Sequence, residues 1–187
     1  KAWKTASVFN QGPVEDLFLA GAIDYASVHY PNIEKAITEA PIIDDAYVQG
    51  RGSSLKGLKA IEYLLYGDGI SQTDVIATFN NKTGNARKAY LQGLANNMQK
   101  NAQQIVDAWS SQKGNYVGTF VSADGREAGA SLGVLVNKLV SQLNSLKDER
   151  VGAPSGTRTN GTPQPELAEA IPSGQSLILL KSEIEGI

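Results

Sequence analysis

Two long stretches of the sequence repeat apolar residues every three or four positions, and this spacing constrains the fold more than any other feature. Between Asn85 and Ser110 the repeat consists of Tyr90, Leu94, Met98, Ile105 and Trp109, widened by Leu91, Ala102 and Val106. Between Ser131 and Leu146 it consists of Leu132, Leu135, Val136, Leu139, Val140 and Leu143. An apolar stripe of this period runs along one side of an α-helix and has to be buried. The sequence therefore predicts an all-α helical bundle with both stripes in its core.

Shorter helices flank these two. A helix over Pro31–Ala40 is expected because proline suits a first helical turn, and Trp3–Phe9 has the pattern of a helix end. A helix over Ser54–Tyr66 is expected to begin at a cap formed by Ser53 or Ser54 and to end at Gly67 and Gly69.

An irregular segment is expected between the second long helix and the last one. Residues 152–165 read GAPSGTRTNGTPQP, which is too rich in glycine and proline for a long helix. We predict an ordered loop over residues 148–173 within one domain of residues 1–187. A last helix is predicted over Leu177–Glu185, with Ser173 or Ser176 as its N-cap.

The helix over Ser54–Tyr66 contains an acidic residue within an apolar pattern. Leu55, Leu58, Glu62 and Leu65 recur at spacings of three and four, so we predict that Glu62 points where the leucines point. A carboxylate in that position is costly unless it is paired. Lys59 and Tyr66 lie one turn away on either side. Two interpretations remain open: a weak salt bridge between Glu62 and Lys59 at the rim, or the polar centre of a functional cleft.

Charge and cysteine content exclude several classes of function. The net charge is −2 and the isoelectric point is about 5.5, which gives no electrostatic footprint for nucleic acid or an anionic membrane. The chain has no cysteine, so it forms neither disulfides nor thiolate metal sites. No apolar run is long enough for a transmembrane helix.

Four ordered segments resemble the imelysin-like proteins, bacterial envelope proteins first described as candidate metallopeptidases and often tied to iron regulation. The segment Gly57–Gly67 resembles the G-x-H-x-x-E motif of that family, and Ala86–Trp109 resembles its long helix ending in tryptophan. Glu15–Gly21 resembles the E-x-F-x-x-G stretch of the family. His29–Pro31 lies where the sequence T-W-P or S-W-P commonly follows that stretch in family members. Glu169–Ser176 resembles an E-S-x-x-S-x-x-S stretch.

The resemblance implies up-down helical bundles and an exported protein, either periplasmic or anchored to the outer membrane as a lipoprotein, with its signal upstream of this sequence. It also implies that the chain is an incomplete family domain that lacks flanking helices. The leucine-rich faces left open by such a gap favour self-association.

One departure from the family motif concerns the metal chemistry, because the motif histidine is Lys59 here. A lysine ammonium offers donors but no lone pair. A zinc peptidase needs about three protein ligands and an activated water, whereas this chain has a single histidine, His29, far from Glu62 in sequence. We therefore expect no cofactor, no metal and no catalysis. The alternative is a bound divalent metal or iron species in a metal-dependent peptidase that uses Glu62 as ligand or general base.

The favoured function is a non-catalytic envelope binding protein with a polar cleft around Glu62. The cleft is expected to receive a small ligand, a metal species or a cell-envelope partner, and the resemblance links it to iron or metal uptake. The candidate ligand-binding residues are Glu62, Lys59 and Tyr66 and, from the resemblance, Glu15, Glu169, Ser173 and Ser176. Structural roles stay open for several of them, since Glu15 and both serines are suited to helix caps and Tyr66 to the core. A purely structural bundle is a third interpretation.

Overall fold

Helices and turns make up the structure, a computed structural model that describes residues 3, 12–25 and 27–186. No strand occurs in these ranges, and the all-α prediction is confirmed. The α-helices are α1 (Pro13–Asp16), α2 (Leu19–Ile23), α3 (Tyr30–Glu39), α4 (Asp45–Gln49), α5 (Leu58–Tyr66), α6 (Gln72–Asn80), α7 (Gly84–Trp109), α8 (Tyr116–Ser122), α9 (Ser131–Ser145), α10 (Ala153–Ser155) and α11 (Ser176–Ile184). Short 3₁₀ segments lie at Ser53–Leu55 and Pro165–Leu167, and a π-helix spans Leu146–Gly152.

Most of the predicted helices are present. The helices expected over Pro31–Ala40, Asn85–Ser110 and Leu177–Glu185 correspond to α3, α7 and α11 within one residue at each end. The helix expected from Ser131 is α9, which passes into the π-helix at Leu146. The helix end expected over Trp3–Phe9 lies outside the described residues apart from Trp3, which is helical.

The chain divides into two compact units, one formed by Leu17–Val106 and the other by Lys1–Asp16 with Asp107–Ile187. The core of the 17–106 unit is a single cluster contributed by α3, α4, α5 and α7. Its buried members are Ile33, Ala36, Ile37, Val48, Ala60, Leu64, Tyr90 and Leu94. Helices α4 and α7 approach closely at Gly93, where a Cβ atom would lie 2.6 Å from Val48 Cγ2.

The N-terminus of α5 differs from the prediction. The serines at 53 and 54 form a separate 3₁₀ turn, and α5 begins after Gly57, which has a φ of 89° and provides no side-chain cap. Neither serine caps the helix. Its C-terminus is as expected, because Gly67 follows Tyr66 with a φ of 76°.

The buried side of α5 also differs from the prediction. Ala60 and Leu64 are buried, whereas Leu58 and Leu65 are exposed. At 100° per residue, positions 58, 62 and 65 lie on the side opposite to 60 and 64. Ala60 and Leu64 are the two α5 residues buried in the core cluster. A nine-residue helix with leucines on both sides does not define its buried side by leucine count.

The buried side of α7 agrees with the predicted stripe in its first half. Tyr90 and Leu94 are buried, but the next buried positions are Asn97 and Asn101, while Val106 is exposed. The Asn101 side-chain amide donates to Asn97 Oδ1 at 3.2 Å, so hydrogen bonding satisfies part of this polar surface.

The core assignment of the α9 stripe is wrong. Its six apolar residues are between 40% and 68% exposed, and no residue of α9 is buried. The periodicity identifies the side of a helix that would be buried, but burial also requires a neighbouring element along that side. Within its own unit, α9 contacts α11 through Gln142, whose Nε2 donates to Glu183 Oε1.

The predicted cap of α11 is also wrong. The residue before the helix is Gln175, which makes no side-chain cap. The Ser176 hydroxyl instead donates to the Glu169 carbonyl, and the Ser173 hydroxyl donates to the Ala170 carbonyl at 3.3 Å. Both serines therefore hold the turn that precedes α11.

Candidate ligand-binding cavity

Three helices of the 17–106 unit bring a carboxylate, a guanidinium and two phenols together. Arg87 Nη2 on α7 donates to both carboxylate oxygens of Glu34 on α3. The Tyr63 hydroxyl on α5 donates to Glu34 Oε1 at 2.8 Å. The Tyr30 and Tyr63 rings stack with centroids 4.2 Å apart and planes 6° apart.

The helix positions explain this arrangement. Arg87 lies three residues before Tyr90, on the buried side of α7, and its side chain is 7% exposed. A buried guanidinium requires a counter-charge, which Glu34 supplies from α3 beside the core residue Ile33. Tyr63 precedes the core residue Leu64, so its ring lies at the border of the core.

The four side chains lie in the wall of a cavity of about 420 Å³. Its lining residues are Tyr30, Pro31, Glu34, Tyr63, Leu64, Gly67, Asp68, Ile70, Val75, Thr78 and Arg87. Asp68 joins the lining because α5 ends at Gly67, whose positive φ turns the chain. The wall thus combines apolar side chains with a few polar groups, a composition typical of small-molecule sites.

Burial and acidic neighbours raise the pKa of both phenols. Burial raises the pKa of Tyr30, and the negative charges of Asp68 and Glu62 raise it further. Burial raises the pKa of Tyr63 strongly, with additional contributions from its hydrogen bond to Glu34 and from the charges of Glu34 and Asp68. Both hydroxyls are thus even less prone to ionise than free phenols, and they act as neutral hydrogen-bonding groups.

Arg87 does not use all of its donors. Within the described part of the chain, its buried Nε–H has no hydrogen-bond acceptor. The guanidinium carbon lies 5.7 Å from the centroid of the Phe79 ring, so the ring covers one side of the charge.

The predicted residues of α5 lie beside this cavity. Glu62 and Lys59 are half-buried and Tyr66 is exposed, all on the side of α5 away from Ala60 and Leu64. None of the three lines the cavity, but the Glu62 charge acts on the cavity residue Tyr30. The prediction that Glu62 lies on the buried face of α5 is therefore wrong. Glu62 is nevertheless close enough to the cavity to influence Tyr30, from the side of the helix opposite to Ala60 and Leu64.

The four remaining predicted residues belong to the other unit. Glu15 is exposed within the short α1. Glu169, Ser173 and Ser176 lie close together before and at the start of α11, where the two serine hydroxyls donate to backbone carbonyls.

The Glu169 carboxylate lies 3.3 Å from Arg150 Nη1. Arg150 Nε lies 3.5 Å from Glu183 Oε2, and the Glu183 side chain is 1% exposed. These contacts join the π-helix to α11. The sequence patterns gave no indication of Arg150 or Glu183.

The donor atoms near Glu62 do not fit a zinc site. Lys59 supplies an ammonium where the family motif has an imidazole, and His29 is the N-cap of α3, with Nδ1 accepting from the Asn32 amide at 3.2 Å. Nowhere in residues 12–25 and 27–186 do three or more His, Asp or Glu side chains come close enough to hold a metal ion.

The sequence contained a usable signal for Arg87. Arg87 is a charged residue at a position of the apolar stripe, one turn before Tyr90, as Glu62 is a charged residue within the apolar pattern of its own helix. Three other cavity residues, Tyr30, Glu34 and Asp68, had no comparable signal, because a tyrosine at a helix start and acidic residues in a helix or a turn are common on solvated surfaces.

The fold and the cavity define an all-α protein of two helical units, one of which contains a polar and aromatic pocket. The family model Peptidase_M75, described as Imelysin, matches residues 1–187. The chain therefore belongs to the imelysin family. No curated protein and no solved structure matches it. None of the described helices is both long and apolar enough to cross a bilayer.

Proposed function

We propose that this protein is a non-catalytic binding protein of the bacterial envelope, and that a small ligand occupies the cavity of the 17–106 unit. The observation that carries the proposal is the combination of the cavity with the buried Glu34–Arg87 pair and the stacked tyrosines in its wall. Glu62 contributes at the margin, through its charge on Tyr30.

Several features favour binding over chemistry at this site. Glu34 accepts from both Arg87 and Tyr63, so its carboxylate is occupied by structural hydrogen bonds. Neutral phenols orient a ligand through hydrogen bonds and ring contacts. A general base needs an accessible lone pair and a pKa close to the working pH, and the raised pKa values of Tyr30 and Tyr63 move both hydroxyls away from that role.

The proposed location is the periplasm or the outer membrane, the latter with a lipid anchor. Membership of the imelysin family suggests an extracytoplasmic protein. A link to iron or metal uptake rests on the same family resemblance. Loss of the gene product should then alter growth under iron limitation, whereas unchanged growth would separate the protein from iron supply.

The binding proposal is tested by obstructing the cavity. Thr78 lines the cavity, and its neighbour Ala77 on α6 is exposed. Thr78→Phe places an aromatic ring in the cavity, and Ala77→Phe adds the same ring on the solvent side. Saturation-transfer NMR against a mixture of polar metabolites should show ligands for the native protein and Ala77→Phe, and none for Thr78→Phe. Equal spectra for the two variants would refute the site.

The rival function is a metal-dependent peptidase that uses Glu62. It predicts cleavage of unfolded casein by the metal-supplemented protein, loss of cleavage with a chelator, and loss in Glu62→Ala. The binding proposal predicts that casein remains intact with added zinc, manganese or iron.

We also propose that the apolar stripe of α9 mediates self-association, because its six residues are exposed together. Sedimentation should show an oligomer that Leu139→Lys dissociates, and a monomeric native protein would contradict this proposal.

A further inference from the structure

The side chains that line the cavity carry a net negative charge. Three charged side chains line it, and two of them, Glu34 and Arg87, compensate each other through paired hydrogen bonds. The third is Asp68, which takes part in none of the ion pairs formed within residues 12–25 and 27–186. The lining therefore has one uncompensated negative charge, carried by the solvent-exposed Asp68 at the turn after α5.

The negative charge lies next to the aromatic wall. Asp68 acts electrostatically on both Tyr30 and Tyr63, and Glu62 acts on Tyr30 as well. The face of an aromatic ring is itself electronegative. Acidic groups around a stacked tyrosine pair create a potential that favours a positive charge over the rings.

A second, independent feature concerns the opposite charge. The Arg87 side chain lines the cavity and is 7% exposed, and both of its hydrogen bonds to Glu34 come from Nη2. A guanidinium has five N–H donors on three nitrogens, so Glu34 leaves the Nη1 group of Arg87 as a donor for another acceptor. A ligand oxygen in the cavity can accept from such a group.

From these observations we infer that the cavity binds a small organic cation that also carries a hydroxyl or carbonyl oxygen. The cationic group lies against the tyrosine rings and Asp68, and the oxygen accepts from Arg87. This inference rests on the proposed function, because it names the class of ligand for the same cavity.

Three probes of equal shape and different charge test the class of ligand. Choline is a cation with a hydroxyl, tert-butylethanol (3,3-dimethylbutan-1-ol) is its neutral isostere, and 3,3-dimethylbutanoate is the corresponding anion. Calorimetry with the native protein should give an affinity for choline at least about tenfold higher than for either isostere.

Two charge-matched variants test the role of Asp68. Asp68→Asn should weaken choline binding at least about fivefold and leave tert-butylethanol binding unchanged, because the Asp68 charge attracts the cation and has no Coulomb interaction with the neutral alcohol. Glu39→Gln removes one negative charge from an exposed surface pair with Lys35, and its choline affinity should stay within about twofold of the native value. Circular dichroism of both variants checks that they fold.

The remaining outcomes separate this inference from the function it rests on. Equal affinities for choline and the alcohol, or a preference for the anion, overturn the cationic class and leave the cavity as the binding site. An equal loss in Asp68→Asn and Glu39→Gln overturns the role of Asp68. Choline binding that persists in Thr78→Phe would refute both the cationic class of ligand and the cavity as its binding site. An absence of choline binding overturns the class, while the metabolite screen decides the site independently.

Discussion

The ion pair between Glu34 and Arg87 offers the sharpest test of the structure around the cavity. Glu34→Ala removes the acceptor of two hydrogen bonds from Arg87 and one from Tyr63. The Arg87 side chain is 7% exposed and Glu34 is 36% exposed. Removal of one partner from a buried pair costs about 3–5 kcal/mol. Since Glu34 is partly solvated, we expect the lower end, about 3 kcal/mol.

The reverse substitution should cost less. Arg87→Met leaves Glu34 within reach of water and of the Tyr63 hydroxyl, so we expect a loss of about 1–2 kcal/mol. The double variant removes both charges and leaves no buried ion, so its cost should fall well below the sum of the two. The coupling energy between the two sites should therefore be about 2 kcal/mol.

Denaturant unfolding followed by far-ultraviolet circular dichroism measures these free energies of unfolding. Glu39→Ala is the control, because it removes one partner of an exposed ion pair with Lys35 and should cost less than about 0.5 kcal/mol. If the cost of the double variant equals the sum of the two single costs, or if Glu34→Ala costs no more than the control, Arg87 is not buried against Glu34.

Three further predictions concern the backbone, the tyrosines and the exposed stripe. Gly57→Ala should destabilise the protein by about 2 kcal/mol or more in thermal unfolding, because Gly57 has a φ of 89° and its added Cβ atom would lie 2.6 Å from the Ile23 carbonyl oxygen. The control is Gly52→Ala, which should change little because no atom lies within 4 Å of the added Cβ. Burial raises the pKa of Tyr90 to about 12 from 10.0. The neutral phenol therefore contributes its full share to the free energy of unfolding below pH 10, and about 2–3 kcal/mol of that free energy is lost as the pH rises to 12. In measurements of stability against pH, Tyr90→Phe should lack this alkaline loss. At protein concentrations where the chain is monomeric, Leu139→Ala should cost less than about 1 kcal/mol and Leu64→Ala about 2–5 kcal/mol, because Leu64 is 1% exposed and Leu139 is 40% exposed. Similar costs for the two variants in the monomer would place α9 in the core.

Periodicity predicted the helices because the pattern that identifies a helix is local. The first turns of α3 and the ends of α7 follow from proline placement and a stripe of apolar residues, all within the helix itself. The side that each helix buries depends on its neighbours, and here the predictions were less successful. In α5, leucines lie on two sides, and tertiary packing selected Ala60 and Leu64.

The candidate site shows the same division. A charged residue within an apolar stripe is visible in the sequence, at Glu62 and at Arg87 alike. Its partner is not visible, because Glu34 is 53 positions away from Arg87 and nothing in the local pattern relates them. The family resemblance identified the segments, and family membership is now shown for residues 1–187. The cavity required the packing of α3, α5 and α7.

The most direct test of the central claim is an NMR titration of the protein, prepared with isotope-labelled tyrosine rings, against choline. The chain has seven tyrosines, and single Tyr→Phe variants assign their signals. We expect the Tyr30 and Tyr63 ring signals to shift together and saturate, while Tyr47, which donates to the Ala36 carbonyl in the core, and Tyr116 of the other unit stay unchanged. Saturable shifts at Tyr116 with unchanged Tyr30 and Tyr63 signals would contradict the claim that this cavity is the binding site.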